Sequence, residues 1–178
     1  MNIPTLSKHA SFFILFNVLA ICLVLYSYFY GTLDSPFQGL GGKINFVIVS
    51  FLVYHAACSM YFIFYADYRV SLMEADNTPI IISNLKDALG HQKLVSLLLV
   101  VLGLVGTVAG FIQAFSGLDP SNPPTVETIG QVLTPIIHGT GTAMYTTLVG
   151  SICYFWAVVN TFTVQRSFTI VINRLRSS

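Results

Sequence analysis

Two apolar segments in the second half of the chain contain glycine and threonine where an ordinary membrane anchor would contain large aliphatic side chains. They read LGLVGTVAGFIQAF at residues 102–115 and GTGTAMYTTLVG at residues 139–150. Small and hydroxylated side chains gain less free energy on leaving water, and in membrane helices they concentrate where helices touch. Both segments are therefore predicted to be membrane-spanning helices that face protein rather than lipid.

The composition is that of a polytopic membrane protein. Hydrophobic residues make up 54% of the chain and charged residues only 8%, whereas soluble domains contain about 25% charged residues. A helix that crosses a bilayer needs about 20 apolar residues. Four stretches reach that length, at residues 10–30, 44–66, 94–115 and 133–162. The predicted fold class is an all-α membrane protein with four transmembrane helices.

The basic residues predict the orientation of these spans. Seven of the eight, all except Lys43, lie before the first span, between the second and third, or after the fourth: Lys8, Arg69, Lys86, Lys93, Arg166, Arg174 and Arg176. Cytoplasmic segments of membrane proteins are enriched in Lys and Arg. Both termini and the connector 67–93 are therefore predicted to be cytoplasmic, and the loops 31–43 and 116–132 external. The connector is interpreted as a solvated segment with two short helical extensions interrupted at Thr78-Pro79; a contact surface for a cytoplasmic partner is the alternative.

The third span contains a regular glycine pattern. Gly103, Gly106 and Gly110 recur at spacings of three and four residues, which places them on one helix face where another backbone can approach closely. Thr107 lies beside this face. Two interpretations of Thr107 stay open: its hydroxyl donates to a carbonyl one turn back in its own helix, or it faces an ion pathway.

The fourth span contains a stripe of hydroxyl groups. Thr140, Thr147 and Ser151 follow one another at seven and four residues and share one face, while Thr142 and Thr146 lie on flanking faces. Hydroxyl groups that face lipid find no external hydrogen-bond partner. The stripe therefore predicts either a partner helix or a water-filled lumen. By the helical rise, Thr107 and Thr147 each lie within about 5 Å of the centre of their span.

The core Leu-Gly-x-x-Gly-Thr-Val-x-Gly of the third span and the core Ala-x-x-x-Thr-x-x-Gly of the fourth, which ends at Gly150, resemble the MotA/TolQ/ExbB proton-channel family. The resemblance covers about residues 94–162. It implies that these two spans line a ring of identical subunits, usually a pentamer, around two copies of a single-span partner of the MotB/TolR/ExbD type with a membrane aspartate. Thr107 and Thr147 fall on the family's pore-lining threonine positions, and Gly150 joins the three glycines as a helix-packing residue.

The positions of the acidic residues agree with a partner that supplies the membrane carboxylate while this chain supplies hydroxyl groups. All seven carboxylates lie outside the four spans or at their margins. Threonine hydroxyls can orient water and solvate an ion, but they do not store charge at physiological pH. The carboxylate that carries the proton is therefore expected from the partner. The predicted ion is H⁺, with Na⁺ left open, and no cofactor, metal or nucleic acid is expected.

Together with these observations, the family resemblance implies an ion-conducting, stator-like subunit of a membrane motor, which is not an enzyme and lies in the bacterial cytoplasmic (inner) membrane as a multi-pass protein in the lipid bilayer. Residues 94–178 would contain the pore-lining helices, and residues 1–93 the peripheral helices with the connector. A passive multi-span scaffold is the alternative. His55 lies within the second span and is interpreted either as a neutral imidazole bonded to a neighbouring helix or as a proton relay.

Overall fold

A computed structural model describes residues 4–29, 39–72, 78–116, 118, 125 and 128–177 of the 178-residue chain. These residues form four helices: α1 (Pro4–Phe29), α2 (Gly39–Leu72), α3 (Thr78–Phe115) and α4 (Ile129–Ser177). The prediction of an all-α fold with four helices is confirmed. The loops 30–38 and 119–124, with most of the predicted turn residues, lie outside the part that the structure describes.

Three of the helices are long and apolar enough to cross a membrane, over Gly41–Tyr65, Ile82–Phe115 and Ile129–Asn173. The apolar segment described in α1 is shorter, Ser11–Cys22, so the first span stays a prediction. Helix α3 begins at Thr78 instead of residue 94, and α4 continues to Ser177 instead of ending near residue 162. Proline is tolerated in the first turn of a helix, where its missing N–H costs no hydrogen bond, and α3 therefore begins at Thr78-Pro79.

Helices α3 and α4 form an antiparallel pair with the most extensive interface of the structure, and α2 packs against both. Helix α1 lies at the periphery and contacts α4 and α2. One buried apolar cluster lies midway along the bundle and consists of Ile48, Leu52, Leu99, Cys153 and Ala157. A second lies nearer the end where α2 leads into α3, here called the α2–α3 end, and consists of Phe13, Ile63, Leu85, Val164, Phe168 and Val171.

The external loop predicted at residues 31–43 is too long, because α2 already begins at Gly39. Gly41 is packed against α4, where an added Cβ would lie 2.8 Å from Cγ2 of Thr142. Lys43, two residues further on, is exposed. Any labelling position on this side of the bundle is therefore better placed at Lys43 than at Gly41.

The predicted orientation has a direct test with single cysteines in a chain whose three native cysteines are replaced. Lys43→Cys is expected to react with a membrane-impermeant maleimide in intact spheroplasts, because the positive-inside rule places this end of α2 outside. Asn84→Cys, which is also exposed, is expected to react only after lysis. Labelling of Asn84→Cys in sealed spheroplasts would reverse the assigned orientation.

Candidate functional site

The backbones of α3 and α4 approach each other closely where their glycines lie. A Cβ added to Gly110 would lie 2.6 Å from the backbone nitrogen of Ala143 and 2.7 Å from the carbonyl oxygen of Gly139. A Cβ added to Gly150 would lie 2.9 Å from the Cα of Gly103. These distances are too short for any side chain, so this interface depends on glycine at each of these positions.

Thr146 fills the space beside Gly106 and is fully buried. A Cβ added to Gly106 would lie 2.5 Å from the Cβ of this threonine. The Thr146 hydroxyl lies 3.0 Å from the carbonyl oxygen of Ala143 and 3.1 Å from that of Thr142. Its proton therefore stays within α4, and the residue contributes packing at the interface.

Thr107 of α3 and Thr147 of α4 meet across the interface and are hydrogen-bonded to each other through their hydroxyl groups. The Thr107 hydroxyl also lies 3.0 Å from the carbonyl oxygen of Gly103, and the Thr147 hydroxyl lies 3.2 Å from that of Ala143. Each hydroxyl has one proton to donate and two lone pairs with which to accept. Both protons have acceptors inside the bundle. The pair can therefore mainly accept hydrogen bonds from a third group rather than donate them.

This pair lies on the wall of an open groove of about 410 Å³ between α3 and α4. The polar lining of this groove, here called the threonine groove, is Thr107, Thr140, Thr147 and Ser151. Phe111, Met144 and Leu148 contribute apolar surface beside it. The structure thus brings the four residues predicted to line an ion pathway onto one continuous surface.

A second group of polar side chains, here called the histidine cluster, is buried between α2, α3 and α4. Its members are His55, Ser59, Gln92, Ser96 and Thr161. Nε2 of His55 lies 3.2 Å from the hydroxyl oxygens of both Ser96 and Thr161. Each of these hydroxyls also lies 2.9 Å from a carbonyl oxygen one turn back in its own helix.

The hydrogen atoms of the histidine cluster therefore have two arrangements. If Ser96 and Thr161 donate to their own helices, Nε2 of His55 carries a hydrogen and donates to them. If one hydroxyl turns towards the imidazole, it donates to an unprotonated Nε2. Whether Nε2 of His55 carries a hydrogen therefore depends on the direction in which the two hydroxyl groups donate, and it changes when one of them turns.

A third polar contact fastens α1 to α4. The indole N–H of Trp156 donates to Oδ1 of Asn17 at 2.9 Å, and Nδ2 of Asn17 donates to Oδ1 of Asn160 at 3.0 Å. Amides at membrane depth need such partners because lipid supplies none. These contacts explain how a helix with few neighbours keeps its position in the bundle.

Charged groups are scarce around the threonine groove. Among the side chains that the structure describes, Asp87 is the one carboxylate, and it lies about 30 Å from Thr107 along α3 by the helical rise. The same part of the chain contains no group of His, Cys, Asp and Glu side chains arranged to hold a metal ion. The groove therefore offers hydroxyl oxygens without a fixed negative charge of its own.

The two helices that form the groove are also the part of the chain that matches a known family. The model of the MotA/TolQ/ExbB proton channel family matches residues 80–176, which is more than half of the chain. The chain belongs to the MotA/TolQ/ExbB proton channel family. Comparisons with curated proteins and with solved structures gave no match.

The match to the MotA/TolQ/ExbB family includes nearly all of α3 and α4, so it is wider than the segment 94–162 that carries the resemblance in the sequence. Family membership and the three membrane-length helices together make the chain a multi-pass membrane protein. The family is one of channels that couple ion flow to work, so function is to be sought in the groove rather than in a set of catalytic side chains.

Sequence reasoning missed most of the histidine cluster, although it singled out His55. Ser96 and Thr161 were assigned to no site, yet both contact the imidazole. A signal was present on α4, since Thr161 and Gln165 continue the face of Thr147 and Ser151 at helical spacing. The signal on α3 is weaker, because Gln92 and Ser96 precede a long apolar run and resemble an ordinary polar boundary.

Proposed function

We propose that this protein is the ion-conducting subunit of a stator-like membrane motor and that the threonine groove is its part of the ion pathway. The observation that carries the proposal is the alignment of Thr107, Thr140, Thr147 and Ser151 along one open surface between the two helices that match the family. Hydroxyl groups that served only to pack helices would have no reason to line a common groove.

The chemistry of the pair Thr107 and Thr147 supports a role in accepting a hydrogen or solvating a cation. Their own protons have acceptors within the bundle, which leaves oxygen lone pairs for a third group. A carboxylic acid in its protonated form, a hydronium ion or a bare cation each needs such acceptors. A partner aspartate would store the charge that hydroxyl groups do not hold.

A single subunit encloses no lumen, because the threonine groove is open along one side. The proposed assembly closes it: a ring of identical subunits, a homopentamer by family resemblance, around two single-span partner chains of the MotB/TolR/ExbD type in the bacterial inner membrane. Exposed apolar side chains cover the rest of the helix surfaces, including Leu15, Phe46, Tyr61 and Phe155. Such surfaces suit lipid and neighbouring subunits.

The proposed ion is H⁺. A proton passes along hydroxyl groups and water by exchange of hydrogen bonds, and the four hydroxyl groups along the groove of each subunit suit such a path. Na⁺ would instead need a cage of oxygen ligands around it. The test is flux through the reconstituted complex in buffers with and without Na⁺. Flux that persists without Na⁺ supports the proposal, and flux that requires Na⁺ assigns the pathway to sodium.

Native mass spectrometry of the solubilised complex tests the assembly. The expected result is a species of several 19.5-kDa chains with additional mass from a small co-purified protein that has one apolar span bearing an aspartate. The physical reason is the open groove, which needs neighbours to become a pathway. A stable monomer or dimer under conditions that keep the helices folded would contradict the ring.

The passive scaffold remains a second candidate, favoured by one observation. Thr107 and Thr147 each have a carbonyl acceptor in their own helix, as membrane threonines have in purely structural positions. The two candidates differ in ion flux: a scaffold with its partner bound conducts nothing above the background of empty liposomes, whereas the proposed subunit conducts.

A further inference from the structure

The threonine groove has a continuation towards the α2–α3 end of the bundle. A second groove of about 400 Å³ lies between α3 and α4, with Lys93, Ser96, Thr161 and Gln165 as its polar lining. On α4, Thr161 and Gln165 follow Thr147 and Ser151 at spacings that keep one helix face. On α3, Ser96 shares a face with Thr107. The two grooves therefore lie on the same face of the α3–α4 pair, with the apolar side chain of Val158 between their polar groups on α4.

The second groove places further polar side chains well beyond the threonine pair. From Thr147 to Thr161 the surface runs about 21 Å along α4, and from Thr107 to Ser96 about 16 Å along α3, by the helical rise. The hydrocarbon core of a bilayer is about 30 Å thick. An ion that leaves the threonine pair in this direction therefore passes Ser96 and Thr161 before it reaches the α2–α3 end.

His55 lies directly behind these two hydroxyl groups. Ser96 and Thr161 line the groove on one side and contact Nε2 of the imidazole on the other, at 3.2 Å each. His55 itself is 1% exposed. Its Nδ1, like Nε2 of Gln92, has no hydrogen-bond partner within the ranges that the structure describes. A buried polar atom without a partner is rare in proteins and calls for a functional explanation.

We propose that His55 takes up and releases the conducted proton on the α2–α3 side of the threonine pair, with Ser96 and Thr161 as the bridge between the imidazole and the groove. This inference rests on the proposed function. In the uptake step, the hydroxyl oxygen accepts a proton from hydronium in the groove while its own proton passes to the unprotonated Nε2. The hydronium becomes water, the hydroxyl is regenerated and the imidazole becomes imidazolium. Release reverses each transfer.

The burial of His55 favours release, because a low-dielectric environment disfavours the charged imidazolium. Lys93 lines the same groove, and the guanidinium of Arg166 lies 4.9 Å from the centre of the Phe162 ring on its wall. Other titratable groups on the neighbouring elements are Tyr54 and Cys58 on α2, His91 on α3 and Cys153 on α4.

The test is proton flux through the complex of this chain with its co-purified partner, reconstituted in liposomes that contain a pH-sensitive dye. His55→Gln keeps a polar side chain but takes up no proton, and its flux is expected to fall at least about tenfold, as for loss of a positioned proton-transfer group. The pair of substitutions Ser96→Ala and Thr161→Val is expected to lower flux similarly while keeping the imidazole. Both variants should retain the native mass of the complex.

Ser59→Ala is the matched control. Ser59 belongs to the same cluster and is fully buried, but its hydroxyl lies near the His55 carbonyl and Gln92 and does not line the groove. Its flux is expected to stay within about twofold of the wild type.

A second readout separates proton exchange from a structural role. Wild-type flux should vary with pH on the α2–α3 side, and His55→Gln should lose the part of that dependence that the imidazole contributes. If His55→Gln does not assemble, the variant with Ser96→Ala and Thr161→Val decides. Wild-type flux and pH profile in an assembled variant would overturn the role of His55, even where Thr147→Val stops flux and the proposed function stands. A wild-type complex that conducts nothing would overturn both.

Discussion

Thr147→Val is expected to abolish ion flux while the complex still assembles. Valine matches threonine in shape, so the substitution removes one hydroxyl per subunit with little change in packing. A hydrogen bond of this kind in a membrane contributes about 0.6 kcal/mol, too little to separate helices held by glycine contacts. Transport is more sensitive, because the loss repeats around the proposed ring at the position where the ion is least hydrated. Five lost hydrogen bonds of about 0.6 kcal/mol each would raise the barrier to ion passage by about 3 kcal/mol, which slows flux about 100-fold.

The neighbouring residue supplies the matched control. Thr146→Val removes a hydroxyl whose proton stays within α4, and flux should remain close to that of the wild type. Thr147→Ser, which keeps the hydroxyl, should also conduct. The measurement is dye-reported flux in liposomes together with native mass. If Thr147→Val assembles and conducts like the wild type, the threonine pair is not in the pathway. If the complex dissociates, Thr147 holds the helices together and the scaffold candidate gains support.

Gly110→Ala is expected to destabilise the contact between α3 and α4 strongly. The added Cβ would lie 2.6 to 2.9 Å from backbone atoms of Ala143 and Gly139, and a backbone does not move aside as a flexible side chain would. Overpacking of this kind costs about 1–3 kcal/mol in each subunit, and the displaced helix widens the groove. We expect a lower thermal midpoint in detergent and loss of flux.

Gly90→Ala provides the comparison on the same helix. An added Cβ at Gly90 has nothing within 4 Å, and alanine is favoured over glycine in a helix by about 1 kcal/mol. Its thermal midpoint should be unchanged or higher. Equal midpoints for the two variants, measured by fluorescence-detected size exclusion after heating, would show that the close approach at Gly110 is not needed.

The features that the sequence predicted well are periodic ones. Gly103, Gly106 and Gly110 follow the helical repeat, and so do Thr140, Thr147 and Ser151, so their faces could be assigned before any packing was known. Antiparallel neighbours joined by a short loop then bring the two faces together. The threonine groove is the consequence of these local rules acting on α3 and α4.

The histidine cluster was beyond the same reasoning because its contacts join distant parts of the chain. His55 meets Ser96 on the next helix and Thr161 on the last one, and no periodic pattern links residues on three helices. The start of α2 was misplaced for a different reason. Glycines at residues 39, 41 and 42 predict a turn, but Gly41 is needed where Thr142 of α4 approaches the backbone, and tertiary packing overrides the local preference.

The most direct test of the threonine groove as an ion pathway is blockage by a bound group. Ser151 lines the groove, whereas its neighbour Ile152 is exposed on another face. Each is replaced by cysteine in a chain without native cysteines, and the reconstituted complex is treated with a small methanethiosulfonate reagent while proton flux is recorded. Modification of Ser151→Cys is predicted to stop flux, and modification of Ile152→Cys to leave it unchanged. Complete modification of Ser151→Cys with undiminished flux would contradict the assignment of the groove as the pathway.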